Sequence, residues 1–200
     1  MYVDLCEHMR GRPAKVITAA EQRRVLRHLD LSPTAARDRV MFLLTITAGL
    51  RACEVCALTW PMLTRADGGI GAHIELPPVA AKRRSGRRIP LHPELRRALA
   101  RLAPRVRMRQ GPVIRSCRGG AMSPKSLVNW FTGLYRQLGL QGCSSHSGRR
   151  SFITRAARQL PRAGGSLRDV QLLAGHRSIQ TTQGYIDGDE QAQRRLIKLI

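Results

Sequence analysis

Several basic, imidazole and hydroxyl side chains of this 200-residue sequence could together bind and attack a phosphate group. They are Arg51, Lys82, His146, Arg149, His176 and Tyr185, with the carboxylate of Glu54 close to the first of them. Arginine forks match phosphate oxygens, imidazoles add hydrogen bonds, and a tyrosine hydroxyl can be activated as a nucleophile. Together these residue types are typical of a site that handles phosphate.

Two short spacings in this set predict that neighbouring side chains work as pairs. Glu54 follows Arg51 by three positions, so its carboxylate can hold the guanidinium across one helical turn. His146 and Arg149 are also three positions apart, so both are expected to project from one helix face. Taken singly, each feature has an ordinary structural explanation, such as a surface salt bridge or a packed tyrosine. The functional interpretation therefore depends on all of them occurring together.

The charge balance favours a nucleic-acid partner. The chain has 35 Lys and Arg against 13 Asp and Glu, a formal net charge of +22, and neutralising phosphates releases condensed counterions. An anionic membrane surface is the alternative, but no apolar run approaches the roughly 18 residues of a transmembrane helix. The first 15 residues also lack the apolar segment of a signal peptide. We expect a cytoplasmic, nucleoid-associated protein with double-stranded DNA as its partner and no membrane.

A zinc site is the competing interpretation of His146. Cys53 and Cys56, with Cys143 and His146 far along the chain, add up to a possible Cys3His set. Cys53 and Cys56, however, lie in a predicted helix, where cysteine is commonly a small buried apolar residue. The five cysteines are scattered, which suits reduced thiols better than a disulfide framework. We therefore expect neither a metal nor another cofactor.

Local signals predict a mainly α (α+β) fold, a helical domain with one small antiparallel sheet. Three helices have clear opening signals, from Thr18 with Glu21, Ser32 with Pro33, and Ser123 with Pro124. Gly49 and Gly139 are suited to helix C-terminal turns. Further helices are predicted at about 51–58, 92–103, 146–160, 166–174, 178–186 and 189–199. The runs 73–76 and 87–91 are predicted strands flanking a basic hairpin that contains Lys82.

The order and local contexts of the phosphate-handling residues resemble the tyrosine recombinase (phage integrase) family. The motifs are TAGLRACEVCALTW around Arg51, KRRSGRRIPL from Lys82, HSGRRSFITR with His146 and Arg149, and LAGHRSIQTTQGYI with His176 and Tyr185. The resemblance covers about residues 16–190. We expect a loose N-terminal arm at 1–15 and a catalytic domain at 16–200, which includes a C-terminal helix at about 189–200. The resemblance implies a site-specific DNA recombinase that works through a covalent 3′-phosphotyrosyl intermediate, without ATP or metal.

The resemblance also implies the roles of two residues that transfer bonds and protons. Tyr185 is expected to be the nucleophile, and Lys82 on its hairpin the general acid for the 5′-oxygen. Tyr135 is the rival nucleophile, but it lies near Trp130 and Phe131 on a predicted helix. We therefore expect Tyr135 to be a packed residue.

The remaining residues are expected to stabilise the phosphate. Arg51 and Arg149 have the donor forks to neutralise its non-bridging oxygens, and Glu54 supports Arg51. His146 and His176 can add hydrogen bonds to the same oxygens, and one of them can help to deprotonate the tyrosine. Losing one well-placed donor of this kind typically costs about 3–4 kcal/mol of transition-state stabilisation.

Three positions and the length depart from the family's patterns. Gly148 and Arg150 replace a leucine and a second histidine in the middle motif, and Ala174 replaces a leucine before the Gly-His pair. Gly148 and Arg150 do not carry the core chemistry, so we expect local repacking there rather than loss of activity. Only about 15 residues precede the catalytic region, whereas most members carry an N-terminal DNA-clamping domain there.

The expected assembly is a tetramer on two DNA sites, built from this chain alone or together with related recombinases. The apolar tail at 196–200 can pack on its own domain or dock into a neighbouring protomer, and the sequence leaves both open. Two other functions compete: a topoisomerase of the same chemistry, and a DNA-binding regulator that has lost catalysis. The absence of a visible clamp argues against the first, and the complete set of site residues against the second.

Overall fold

The computed structural model describes residues 14–103 and 110–185, together with 194, 197 and 198. Within these residues the chain is mainly helical with one two-stranded antiparallel sheet, so the predicted α+β class is confirmed. The helices are α1 Ala19–Asp30, α2 Ala35–Ile46, α3 Ala52–Ala57, α4 Pro93–Leu102, α5 Pro124–Gln137, α6 Ser147–Ala163, α7 Leu167–Ala174 and α8 Ile179–Gln183. The strands are β1 His73–Leu76 and β2 Arg87–Pro90.

Side-chain caps start the helices at two of the predicted places. Thr18 and Glu21 form a reciprocal capping box at α1, where each side chain accepts the other residue's backbone N–H. Ser123 accepts the backbone N–H of Ser126 at the start of α5. These caps satisfy N–H groups that have no partner inside the helix, so the local sequence is enough to fix where these helices begin.

Helix α2 begins later than the Ser32–Pro33 signal predicts. Its N-cap is Thr34, because the hydroxyls of Ser32 and Thr34 both donate to the buried Asp38 carboxylate, at 2.7 and 2.8 Å. The segment before Ala35 therefore forms a turn closed on Asp38 instead of a first helical turn. The prediction for this boundary was wrong by about two residues.

The core is built around α2, whose residues from Val40 to Ile46 are all buried. This helix packs against α1, α4 and α6. A helix that is apolar on every side must be covered on every side, and α2 therefore becomes the central element of the domain. The turn that follows α2 leads directly into α3, so the packing of α2 fixes the position of Arg51.

The small sheet carries the predicted basic hairpin. Strands β1 and β2 pair antiparallel, with Ile74 opposite Ile89, and both isoleucines are buried. Alternation along β2 turns Arg87 to the same side as Ile89, while Arg88 is exposed. The connection between the strands holds Lys82 in a single 3-10 turn, where its side chain is exposed.

Helices α2 and α6 approach closely at Gly148, one of the positions that departs from the family pattern. A Cβ atom at this position would lie 2.2 Å from Oγ1 and 2.8 Å from Cβ of the buried Thr45. A leucine side chain, the residue usual in the family, has no room at this position. This contact also places Arg149, the next residue of α6, beside the end of α2.

Replacing Gly148 with alanine should destabilise the protein by about 1–3 kcal/mol, because the added methyl group overpacks the contact with Thr45. Alanine otherwise favours a helix over glycine by about 1 kcal/mol. Helix propensity alone would therefore predict that Gly148→Ala stabilises the protein. The matched control is Gly133→Ala in α5, where a Cβ meets nothing within 4 Å. Urea unfolding should show Gly148→Ala below and Gly133→Ala above the wild-type stability. Stabilisation by Gly148→Ala would contradict the packing described here.

Two predicted segments lie largely outside the described residues. They are the N-terminal arm at 1–15, of which only residues 14 and 15 are described, and the C-terminal helix at about 189–200. The backbone N–H of Lys15 donates to the carbonyl of Gly142 at 3.0 Å, so contacts with the domain already exist at this residue. Among the described residues, none of the helices has both the length and the apolar character needed to cross a membrane.

Candidate active site

Three elements meet around a polar cleft of about 290 Å³. They are the start of α3, the β1–β2 connection and the turn between α7 and α8. The lining residues are Arg51, Lys82, Ser85, Gly175, His176, Arg177, Ser178 and Thr181. Three of the predicted residues, Arg51, Lys82 and His176, thus face one cleft although the sequence separates them by up to 125 positions.

The predicted pair of Arg51 and Glu54 forms at the start of α3. Arg51 is the N-cap residue, and its backbone N–H and guanidinium Nη1 donate to the two oxygens of Glu54, at 3.0 and 2.9 Å. The carboxylate of Glu54 is fully buried, whereas the side chain of Arg51 keeps partial exposure on the cleft. Glu54 therefore holds Arg51 from below and leaves its outer side open to a ligand.

Arg87 is a partner of Glu54 that the sequence reasoning missed. Its Nη2 donates to Oε2 of Glu54 at 2.9 Å and its Nη1 to Oε1 at 3.2 Å. A signal for it existed, because strand alternation places Arg87 on the buried side with Ile89, and a buried charge is commonly paired with an opposite charge. Burial alone would raise the pKa of Glu54, but the hydrogen bonds and charge of Arg87, with those of Arg51, lower it to about 2.

Acid should destabilise the fold through Glu54. The unfolded chain takes up the proton first, since its glutamate has a pKa near 4.5 and the folded one about 2. The contribution is therefore complete above pH 4.5 and is lost as the pH falls through 2. Its size is on the order of 3 kcal/mol. Urea unfolding of the wild type should show a steeper loss of stability below pH 4.5 than the Glu54→Gln variant shows.

The comparison of the wild type with Glu54→Gln also controls for the titration of the neighbouring His176. His176 has a lowered pKa of about 4, so it also lowers stability as the pH falls below its ordinary 6.5. Both proteins contain His176, and only the difference between their profiles reports on Glu54. Parallel profiles below pH 4.5 would contradict the assigned pKa of Glu54.

Arg149 lies buried beneath the cleft, with 3% of its surface exposed. Its Nη1 donates to the carbonyl of Gly49, and its Nη2 donates to the carbonyl of Ala174 and to Nε2 of His176, both at 2.8 Å. These bonds use three of the five N–H donors of the guanidinium. Burial, followed by the charge of Arg51, lowers the pKa of Arg149 to about 10, so the side chain remains a cation at pH 7.

The contacts of His176 define its tautomer. Arginine can only donate, so Nε2 of His176 accepts from Arg149 and the proton of the neutral ring lies on Nδ1. This N–H faces Oγ1 of Thr182 at 2.9 Å. Burial, followed by the charge of Arg149, lowers the pKa of His176 to about 4, so the ring is neutral at pH 7. In this arrangement His176 orients Arg149, and a hydrogen bond from Nε2 to a phosphate oxygen would require the other tautomer.

Tyr185 lies against this cluster, in the turn directly after α8 and not on the helix predicted for it. Its ring stacks on that of His176, with the centroids 5.4 Å apart and the planes inclined by 24°. Its carbonyl accepts from Oγ1 of Thr154 at 3.1 Å. The guanidinium carbon of Arg150, another departure from the family pattern, lies 5.8 Å from the ring centroid. The half-buried tyrosine is therefore held on both its backbone and its ring.

His146 and Lys82 are the two exposed members of the set. His146 is the N-cap of α6 and is exposed, whereas Arg149, three residues later, is buried. Partial burial of the ring, followed by the charges of Lys82, Arg149 and Arg51, lowers the pKa of His146. Lys82 is tied to the site through its backbone, whose N–H lies 3.4 Å from Oε1 of Glu54.

Tyr135, the rival nucleophile, is a core residue. It is 2% exposed, and its ring stacks on Phe131 with the centroids 5.6 Å apart. Burial raises the pKa of its hydroxyl, and this hydroxyl has no hydrogen-bond partner among the described residues. A buried phenol with a raised pKa is poorly suited to attack a phosphate, as the sequence interpretation expected.

The alternative zinc set does not come together. Cys56 is buried in α3, and burial, followed by the charge of Cys53, raises its pKa to about 11. Within the parts of the chain that the structure describes, no group of three or more His, Cys, Asp and Glu side chains is placed to hold a metal ion. Cys53, Cys56, Cys143 and His146 all belong to these parts.

Comparisons with known proteins identify the family of this chain. The model of the phage integrase family matches residues 15–192. Tyrosine recombinase XerC of Brucella suis is 30% identical over 185 residues, which are 88% of this chain and 56% of the relative. Tyrosine recombinase XerC of Rhodospirillum centenum is 33% identical over 157 residues, which are 76% of this chain and 43% of the relative. The chain thus spans about half the length of these curated relatives.

Solved structures support the fold. The Tn1549 transposon integrase in complex with circular intermediate DNA superposes with a TM-score of 0.72 at 20% identity, covering 96% of this chain and 69% of that one. The XerA recombinase gives a TM-score of 0.69 at 21% identity, covering 95% and 64%. At this level of identity the superpositions establish a shared fold, and the argument about chemistry depends on the site residues themselves.

Proposed function

The chain belongs to the phage integrase family, and from that premise we propose that it is a site-specific DNA recombinase. It cleaves and rejoins DNA strands through a covalent link between Tyr185 and a 3′-phosphate. One observation carries the proposal: the ring of Tyr185 stacks on His176, which in turn accepts a hydrogen bond from the buried Arg149. This arrangement holds a tyrosine beside a cationic cleft lined by Arg51 and Lys82.

Positive charge prepares the scissile phosphate for attack. Arg51 lines the cleft and can donate to the non-bridging oxygens. Arg149 lies beneath the cleft as a buried cation and adds its positive charge and the two N–H donors that Gly49, Ala174 and His176 leave unused. Hydrogen-bond donors that are already oriented stabilise the charge that develops in the transition state without reorganisation. With two arginines and Lys82 at one phosphate, the chain itself supplies the neutralisation that the reaction needs, and we assign no metal to it.

The cleavage step exchanges one phosphodiester for another. Oη of Tyr185 bonds to phosphorus while the bond between phosphorus and the 5′-oxygen breaks, and the ammonium of Lys82 gives that oxygen its proton. We assign the phenol proton to His146, because its pKa is lowered and Nε2 of His176 is already engaged by Arg149. A 5′-hydroxyl of another strand then attacks the phosphotyrosine and releases Tyr185, so no nucleotide cofactor is required.

The substrate and the assembly follow from this chemistry. A net charge of +22 suits binding to the phosphates of double-stranded DNA, and strand exchange needs four active tyrosines on two paired sites. We propose a tetramer, built from this chain alone or with related recombinases, that works in the cytoplasm at the nucleoid. We propose two alternatives for the tail at 196–200: it packs on its own domain, or it docks in trans on a neighbouring protomer and thereby connects the two.

A suicide substrate tests the proposed chemistry. Duplexes from the DNA flanking the gene, nicked so that the cleaved strand diffuses away, should trap a protein–DNA adduct that survives denaturant. The adduct should form in EDTA, and peptide mapping should find the DNA on the peptide that contains Tyr185. Strand cleavage without a covalent adduct, or an adduct that requires a divalent metal, would contradict the mechanism.

The same substrates separate recombination from the topoisomerase and regulator alternatives. A topoisomerase should relax a supercoiled plasmid of any sequence, whereas a recombinase should need its target site. A regulator should bind the site and form no adduct. A site-dependent adduct, together with exchange between two sites, is the result expected here.

A further inference from the structure

The guanidinium of Arg87 connects two elements of the site that lie far apart in the sequence. Its side chain is 6% exposed, and its two terminal nitrogens donate to the two oxygens of Glu54. Its Nε donates to the carbonyl of Leu173 at 2.9 Å, and Leu173 lies in the last turn of α7, just ahead of His176. One guanidinium therefore joins the carboxylate under Arg51 to the segment that carries His176.

The contact between Arg87 and Glu54 affects the net charge next to the cleft. Glu54 is one buried anion between two arginines, Arg51 and Arg87. Two cations and one anion leave a net positive charge, and the side that faces the cleft belongs to Arg51. Without Arg87, the buried carboxylate would cancel the charge of Arg51, and its attraction for a phosphate would fall.

The packing at Gly175 shows how closely Arg87 is fitted to the second element. Gly175 has φ +64°, and a Cβ there would lie 2.7 Å from Nη1 and 3.0 Å from Cδ of Arg87. The backbone just before His176 thus lies directly on the Arg87 side chain. Arg149 binds the carbonyl of Ala174 in the same turn, so Arg87 and Arg149 hold this segment together.

We propose that Arg87 is a positioning residue for strand cleavage, which neutralises Glu54 so that the charge of Arg51 acts on the scissile phosphate. Through the Leu173 carbonyl it also keeps His176 next to Arg149. This inference rests on the proposed function. It assigns Arg87 no contact with DNA, so its effect must pass through Glu54 and through the end of α7.

A matched pair of variants on β2 tests the proposal. Arg87→Met should slow adduct formation at saturating suicide substrate by about 100-fold, the size typical of small misplacements in an active site. Arg88→Met is the control, because Arg88 is the next residue of the strand and its exposed side chain pairs with the exposed Glu75, at 2.7 Å. It should change the rate by less than about twofold. Equal rates for the two variants would overturn the proposal.

A second substitution separates charge balance from simple packing. Adding Glu54→Gln to Arg87→Met removes the negative charge that Arg87 neutralises. The double variant should therefore cleave about tenfold faster than Arg87→Met alone, which independent effects of the two substitutions would not produce. If Arg87 only supported the fold, the two losses would add and the double variant would be slower. That result would overturn the charge role.

Two further measurements keep the test decisive. Carboxyl NMR of the protein without DNA should show the pKa of Glu54 rising above about 2 in Arg87→Met, and an unchanged pKa would overturn the inference whatever the activity. If Arg87→Met does not fold, Arg87→Gln replaces it, because glutamine also removes the positive charge, and a wild-type cleavage rate in that variant would overturn the proposal. A wild type that forms no adduct refutes the proposed function, whereas an adduct unaffected at Arg87 refutes only this inference.

Discussion

Replacing Tyr185 with phenylalanine is expected to abolish the covalent protein–DNA adduct while DNA binding stays close to that of the wild type. The substitution removes only Oη, so the stacking on His176 and the bond from Thr154 to the carbonyl at position 185 remain. Loss of a nucleophile leaves no route to the covalent intermediate, and we expect the rate to fall by roughly 10⁴-fold or more. Single-turnover reactions on a suicide substrate, resolved under denaturing conditions, measure this directly.

Tyr135→Phe is the matched control for this experiment. The hydroxyl of Tyr135 is buried and has no hydrogen-bond partner among the described residues, so its removal should leave both the adduct and the stability of the protein intact. The two variants delete the same atom from two tyrosines in opposite environments. An adduct of normal yield from Tyr185→Phe would show that another residue is the nucleophile.

The second large effect is expected from Arg149→Lys. A lysine keeps the positive charge, but its single ammonium cannot reproduce a fork that reaches Gly49, Ala174 and His176 together. The turn before α3 and the turn after α7 would lose their common donor, and the phosphate would lose the remaining N–H donors of Arg149. We expect cleavage at saturating DNA to slow by about 10²–10³-fold.

Arg155→Lys provides the comparison on the same helix. Arg155 also donates from α6 to a distant backbone carbonyl, that of Ile17 at 2.6 Å, but it binds none of the residues of the proposed site. Its replacement should lower the unfolding free energy by about 1 kcal/mol and leave the cleavage rate of the folded protein unchanged. If Arg149→Lys cleaved as fast as Arg155→Lys, the special role of the buried guanidinium would be refuted.

Much of the fold could be predicted because its signals are local. The capping box of Thr18 and Glu21 and the cap at Ser123 act across three residues, and both helices begin where predicted. Alternating residues in the runs 73–76 and 87–91 likewise predicted the two strands. The start of α2 was misjudged because Asp38, six residues after Ser32, took the hydroxyl that was expected to cap the helix.

The sequence supplied the candidate residues of the site, but it predicted the contacts among them only in part. The pairing of Arg51 with Glu54 depends on a spacing of three residues within one turn, and it forms as expected. The expected hydrogen bond from His176 to phosphate stays a prediction, and the contact between its Nε2 and Arg149, 27 residues away, was not predicted. Neither tautomer nor acceptor can be derived from spacing, because both depend on which donor the tertiary packing brings to the ring.

The sequence by itself determined which residues are able to do the chemistry, since residue types and short spacings define donors, nucleophiles and local pairs. The tertiary structure decided which of those residues contact one another and which of them are charged. Arg87 meets Glu54 across 33 positions, and it does so only because β2 packs its inner face against α3 and the end of α7. Burial and the neighbouring charges together set the protonation states, leaving Glu54 ionised, His176 neutral and Arg149 cationic at pH 7. Desolvation depends on everything that surrounds a group, and no local stretch of sequence contains that information.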